Sequence, residues 1–253
     1  MTESYRRITP ELARQIKLVI TDVDGTITSG GDSFSSTVLE AMRRLQEQGI
    51  MVGLASGRTL PGLESVAEDL CIDGPLIAEN GGVARVQKQG ELVDLGYYRE
   101  PAIRALEKLK TLFPRAIRER EDNMDRLVDI AFYCHEVETG QLKECLQGIQ
   151  LLDSGYMLHL LPDGVSKGKT LERLLGKMRD EGPSSDSVMV FGDSTTDISL
   201  FKLFPHSVLV VNPGLPEEQR KTLRGLTRYE SDLPYGDGFA EVCFHILNAR
   251  TGI

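Results

Sequence analysis

The sequence predicts an α/β protein with a Rossmann-like parallel-sheet core and one inserted α+β segment. Three observations carry this reading. Short apolar runs rich in β-branched residues alternate with amphipathic helical stretches over the first third of the chain, the pattern of βαβ units whose strands are covered on both faces. The rhythm breaks between about residues 84 and 160, where hairpin-like and mixed patterns take over. It then resumes, so the 253-residue chain divides into a core of 1–83 and 161–253 and an insert of 84–160.

Leu18, Val19 and Ile20 in "KLVITDVDG" form the first strand, and Gly25, Gly30 and Gly31 mark the loop after it. "SSTVLEAMRRLQEQG" follows as a helix, with Val38, Leu39, Met42 and Leu45 on one face and Gly49 as its stop. "IMVGLAS" is a second buried strand. "TLPGLESVAEDL" is a helix with Pro61 near its start, and "GPLIAENGG" is a third strand and turn. In the insert, "GVARVQKQGELVDLGY" alternates like a hairpin, "EPAIRALEKLKTLF" and "VETGQLKECLQGI" are helical, and "RLVDIAFYC" and "GYMLHLLP" are strands. "SKGKTLERLLGKMRDEG" then reads as a helix with Leu171, Leu174, Leu175 and Met178 inward. "SVMVFGDS" is a strand, "DISLFKLF" a short helix, "HSVLVVN" another strand and "GFAEVCFHILNAR" the closing helix.

The chemistry sits at the ends of these elements. Ligands of open parallel sheets bind beyond the carboxyl ends of the strands, and Asp22 and Asp24 fall there after the first strand. Two carboxylates on one side of a strand repel each other, and an oxygen-preferring divalent cation such as magnesium offsets them. Ser56 and Gly57 in "LASGRT" pair a hydroxyl with a close-approaching glycine just before a helix N-terminus, a place that favours anions. Lys167 in "GVSKGKT" stands at another helix start. Asp193 ends a later strand in "FGDSTTD", and Asp197 lies four residues on. Each has a plainer reading: an Asp-Gly turn, a common Ser-Gly turn, a solvated lysine, a helix cap. Together, in this order, they supply the parts for magnesium and a phosphate. "GVSKGKT" is one residue short of a phosphate-binding P-loop, and the glycine of "DVDG" comes too early for a calcium loop.

Composition narrows the function. The formal net charge of -9 speaks against sequence-independent binding of nucleic acid, which needs a basic surface. No stretch approaches the roughly 18 apolar residues of a membrane span, and "MTESYRRITPELARQ" carries no apolar signal core. A cytoplasmic protein with no membrane partner is expected. Cys71, Cys134, Cys145 and Cys243 are scattered, as are His135, His159, His206 and His245, without metal-ligand spacing. They read as structural or surface residues.

"DVDGTIT", "ASGRT", Lys167 in "SKGKT" and "GDSTTD", in that order, resemble the motifs of the haloacid dehalogenase superfamily, whose members are mostly phosphatases. The resemblance covers nearly the whole chain. With "AENGG", the insert looks like that of the branch with a large α+β cap. This branch contains sugar-phosphate and sucrose-phosphate phosphatases, archaeal-type phosphoglycolate phosphatases and phosphomannomutases. "DGPLIAENGG", "SGYMLHL" and "YGDGFAEV" look closest to the phosphoglycolate type. The resemblance implies Asp22 as nucleophile and Asp24 as general acid and base. It implies Ser56, Gly57 and Lys167 as phosphate-binding groups. Asp22, the carbonyl of Asp24, Asp193 and Asp197 would place Mg2+, with a small phosphorylated metabolite as substrate. Many relatives carry Asn where this chain has Thr196, which keeps a hydroxyl but lacks the amide's reach and donors.

Two other functions fit the same scaffold. A phosphomannomutase-like phosphotransferase needs an arginine-rich cap, and "FPRAIRERE" offers Arg115, Arg118 and Arg120. A non-enzymatic binding protein would have no use for the full acidic set with Lys167. The insert is expected to move over the core, hinged near Gly81–Gly82 and Pro162–Gly164.

Overall fold

The computed structural model describes residues 2–31, 33–155, 157–178 and 182–252. In chain order its regular elements begin with β1 (Glu3–Ser4), α1 (Pro10–Gln15), β2 (Leu18–Thr21), α2 (Ser36–Glu47), β3 (Met51–Ala55), α3 (Leu60–Asp69), β4 (Leu76–Ala78) and β5 (Val83–Arg85). Next come α4 (Glu100–Leu112), β6 (Ile117–Glu119), β7 (Ile130–Cys134), α5 (Thr139–Glu144), β8 (Ile149–Asp153) and β9 (Leu158–Pro162). The chain closes with α6 (Lys167–Lys177), β10 (Val188–Gly192), α7 (Ile198–Leu203), β11 (His206–Val211), α8 (Glu217–Arg224), β12 (Tyr229–Pro234) and α9 (Tyr235–Thr251).

The main sheet has the order β1-β12-β11-β10-β2-β3-β4-β5. All its neighbours pair in parallel except β4 and β5. Side chains leave its strands alternately to the two faces. Val19, Val52, Leu54, Met189, Phe191 and Val208 join Met42, Leu63, Phe239 and Ile246 of α2, α3 and α9 in one buried cluster. Leu18, Ile20, Val188, Val190 and Leu209 join Leu171, Leu200 and Leu223 of α6, α7 and α8 in the other. Coverage on both faces explains the unbroken apolar runs of β2 and β10, each such side chain contributing roughly 1.5–3 kcal/mol. Inward faces are narrower than the periodicity implies. Leu39 is 42% exposed, while Leu175 and Met178 are half-buried. The expected end of α6, residues 179–181, lies outside the described residues, as does Tyr156 of "GYMLHLLP".

A second, antiparallel sheet has the order β6-β7-β9-β8. It packs Ile130, Phe132 and Leu160 against Ala102, Leu106 and Leu109 of α4 and Leu142 of α5. The hairpin expected over "GVARVQKQGELVDLGY" reduces to β5 and one bridge between Arg85 and Leu92. Because β5 pairs with β4, residues 84 and 85 lie in the main sheet rather than the insert. The small sheet correspondingly runs on to Pro162. The helix expected over "VETGQLKECLQGI" is only the six residues of α5, since β8 begins at Ile149 just after Gly148, which has a φ of 67°.

Candidate active site

The carboxyl ends of β2, β3 and β10 converge with the start of α6 on a cavity of about 650 Å³, a size suited to a small ligand. Asp22 follows β2, and its backbone N–H donates to Phe191 O of β10 at 3.0 Å. Gly25 turns the loop back with a φ of 89°, and a Cβ there would stand 2.4 Å from an Asp193 carboxylate oxygen. Only glycine meets both demands.

Asp193 follows β10 and accepts hydrogen bonds from Thr26 Oγ1 at 2.7 Å and Asn212 Nδ2 at 2.6 Å. Asp197 closes a capping box with Ser194, and one of its oxygens accepts the backbone N–H groups of Asp193 and Ser194. Its other oxygen accepts Lys167 Nζ at 2.7 Å, and the same ammonium reaches Asp22 at 2.9 Å and Thr196 Oγ1 at 3.3 Å. Lys167 is aimed inward because Ser166 caps α6 through the Lys169 N–H and places Lys167 at its first position. The Thr196 hydroxyl thus keeps a contact to the lysine despite its short reach.

Asp22, Asp193 and Asp197 are all buried, with ligand oxygens within 4.8 Å of one another. At an effective dielectric of about 20, two carboxylates at that spacing repel by about 3 kcal/mol, and one lysine cannot neutralise three. Burial and the carboxylates around it push the Asp22 carboxyl well above its ordinary value, against the pull of Lys167. Burial and Asp197 push Asp193 up to about 7. Burial would lower Lys167, but Asp197 and Asp22 outweigh it and raise the ammonium above its ordinary value. This is an all-oxygen donor set short of positive charge, and it fits a hard divalent cation.

The Asp24 side chain stands apart from this cluster. It accepts two hydrogen bonds from Arg58, from Nε at 3.0 Å and from Nη2 at 2.7 Å. Ser56 is buried after β3, and its hydroxyl accepts the Arg58 N–H at 3.2 Å. Gly57 packs beneath Asn80, its carbonyl accepting from Arg126 at 3.0 Å. All seven residues singled out in the sequence except Asp193 and Asp197 line the cavity. Asp197 reaches the lining through its bond to Lys167, and Asp193 through its backbone bond to Asp197.

The facing wall comes from the small sheet and its loops, and of its residues sequence reasoning offers only Arg120 as a binding group. Arg120 is held by Asp122 and Tyr133. Arg126 is bonded to Asp122 and Asp129, and Asp129 takes the His159 ring nitrogen Nδ1 at 2.8 Å. Of the three cap arginines named from sequence, only Arg120 lines the cavity; Arg118 stacks on Tyr133. Asn212 had a readable signal, a polar residue directly after the strand "HSVLVV".

Residues 19–125 and 120–214 match the family described as haloacid dehalogenase-like hydrolase. A phosphoglycolate phosphatase of Methanospirillum hungatei is 32% identical over 228 residues, covering 88% of this chain and 94% of its own. One from Methanopyrus kandleri is 33% identical over 193 residues, covering 73% and 80%. Among solved structures, a Thermoplasma acidophilum protein covers 91% of this chain and 98% of its own with a TM-score of 0.75 at 24% identity. The sucrose-phosphatase of Synechocystis, solved with sucrose and phosphate, covers 92% and 98% with a TM-score of 0.70 at 19% identity.

Proposed function

The chain belongs to the haloacid dehalogenase-like hydrolases and is a phosphatase, and from this we propose that it is a magnesium-dependent enzyme that hydrolyses the phosphate monoester of a small metabolite through an aspartyl-phosphate. The observation that carries the proposal is the buried Asp22–Lys167–Asp197 bridge beside Asp193 at one end of the cavity. Phosphoryl transfer depends on positioning and on charge stabilisation more than on covalent chemistry by the protein, and this bridge supplies both.

Asp22, Asp193, Asp197 and the carbonyl of Asp24 would hold the cation. When bound, magnesium supplies positive charge to the phosphoryl oxygens and completes the neutralisation of the carboxylates. An Asp22 oxygen attacks phosphorus, the bond to the leaving oxygen breaks, and Asp24 gives that oxygen a proton. Asp24 then takes a proton from water, the water oxygen attacks phosphorus, and inorganic phosphate departs with Asp22 restored. Asp24 can act only once its pair with Arg58 has opened, so substrate entry has to draw Arg58 away. Ser56, Gly57 and Lys167 hold the transferring group.

The unit built on β6 to β9 serves as a cap that sets specificity. Its Arg120 and Arg126 line the wall facing the acids, which suits a substrate with a second anionic group. Phosphoglycolate, the substrate in the names of the relatives, has one; sugar phosphates are the next candidates. A hydrolysis screen over phosphoglycolate, phosphoglycerates and sugar phosphates tests this. We expect free phosphate as product, loss of activity in EDTA and recovery with magnesium. An isomerised sugar phosphate as product would instead indicate a phosphotransferase, and turnover undiminished in EDTA would remove the metal from the mechanism.

A further inference from the structure

Asn80 has a buried side-chain donor with no acceptor. The residue is 2% exposed, and its Nδ2 has no hydrogen-bond partner. Buried polar groups are nearly always paired. Among the described residues the cavity lining holds two exceptions: Arg126 Nε, whose guanidinium is otherwise bonded to Gly57, Asp122 and Asp129, and Asn80 Nδ2, whose amide donates to nothing. Asn80 lines the same cavity as Asp22, Ser56 and Lys167. Its amide lies over Gly57: a Cβ on that glycine would stand 3.1 Å from both Nδ2 and Oδ1.

The backbone that holds the amide there is unusual. Glu79, Asn80 and Gly81 have φ values of 51°, 55° and 106° in succession, a left-handed stretch that non-glycine residues adopt at a cost. The surroundings fix it from several directions. The Glu79 N–H donates to Arg58 O at 2.9 Å and the Asn80 N–H to Ser56 O at 3.0 Å. Thr170 Oγ1 donates to Gly81 O at 2.7 Å. The buried Glu79 carboxylate accepts the N–H groups of Leu127, Val128 and Asp129 at 2.8, 2.7 and 3.0 Å. An over-determined strained turn that ends in an unsatisfied donor is a device for placing that donor.

We propose that Asn80 Nδ2 donates a hydrogen bond to a phosphoryl oxygen seated at Ser56–Gly57. The proposal rests on reading this cavity as the phosphate site. It gives Asn80 the role of a binding residue and gives its unpaired donor an acceptor.

The test uses inorganic phosphate as probe, with magnesium present, on the full-length wild type and two variants. Asn80→Gly keeps a backbone suited to positive φ and removes the donor; Asn80→Asp keeps the shape and replaces the donor with a negative acceptor. Titration calorimetry should show phosphate binding weakened roughly ten- to hundredfold in Asn80→Gly, the range of one hydrogen bond to a charged partner, and weakened further in Asn80→Asp. For Asn80→Gly the Tm without phosphate should change little, because the donor has no partner to lose, and magnesium affinity should be unchanged. Should Asn80→Gly not fold, Asn80→Asp decides alone. Phosphate binding within about twofold of wild type in a folded variant would overturn the proposal while leaving the phosphatase reading in place. A wild type that neither binds phosphate nor hydrolyses p-nitrophenyl phosphate would end both.

Discussion

At the residue scale the account depends on two aspartates with different surroundings. Asp22 is buried among carboxylates and touches Lys167, whereas Asp24 is held by Arg58 at the cavity's open side. Asp22→Asn should fold and lose turnover, because an amide is a poor nucleophile and removes a charge from the cation site. Asp24→Asn should slow turnover by about 10²–10⁴-fold. That loss should be greatest for substrates with poor leaving groups and smaller for activated aryl phosphates, which leave without a proton. Equal losses across a leaving-group series would reject the proton role. Asp22, Asp24, Ser56, Lys167, Asp193 and Asp197 were legible because each stands at the end of an element with a clear period. Arg58, Arg126 and Asn80 were not: their partners lie 34, 69 and 24 positions away, at Asp24, Gly57 and Ser56, and no local pattern encodes such contacts.

At the scale of elements, the turn at Glu79–Gly82 joins the two sheets more firmly than its glycines suggest. A Cβ on Gly81 would stand 2.4 Å from the Ser166 carbonyl carbon, and one on Gly82 would stand 2.8 Å from Val128 Cβ. The first joint, read from sequence as a hinge, is thus packed and strapped by the three N–H groups on Glu79. Native-state hydrogen exchange should find the amides of Leu127, Val128 and Asp129 protected and Glu79→Gln should expose them; fast exchange there in the wild type would mean that the unit swings free at this joint. Asp129 gives the same loop a pH dependence. Burial opposes its ionisation, but the hydrogen bond and charge of His159, with Arg126, outweigh it and hold the carboxyl below its ordinary value. A folded value below the unfolded one contributes stability above about pH 4 that is lost as pH falls through the folded value. Urea midpoints should therefore drop below about pH 4, and Asp129→Asn should flatten that drop. Helices were legible from their amphipathic faces and the central strands from their unbroken apolar runs. β12 and α8 carry polar sequences, "YESDLP" and "EEQRKTLR", and form because neighbours on the sheet and one buried leucine, Leu223, hold them.

At the scale of the whole molecule, the main sheet sets the aspartates and the small sheet sets what stands opposite them. Removing a large side chain from the main core should cost stability without regard to substrate. Phe191→Ala, which deletes a fully buried ring packed edge-on against Phe239 at 4.9 Å, should cost about 3–5 kcal/mol by chemical denaturation. Arg120→Gln, on the facing wall, should instead raise KM for an anionic substrate more than for p-nitrophenyl phosphate and leave the magnesium requirement alone. The division into parallel and antiparallel regions was legible as a break in rhythm; the composition of the cavity wall was not, because it arises where two regions distant in sequence face each other. The central claim, that Asp22 carries the phosphoryl group, is tested most directly by borohydride trapping during turnover with magnesium, followed by peptide mapping. The account predicts reduction of the acyl phosphate at Asp22 in the wild type, with no product in Asp22→Asn or without metal. Steady turnover with Asp22 unmodified, or trapping at another carboxylate, would contradict it.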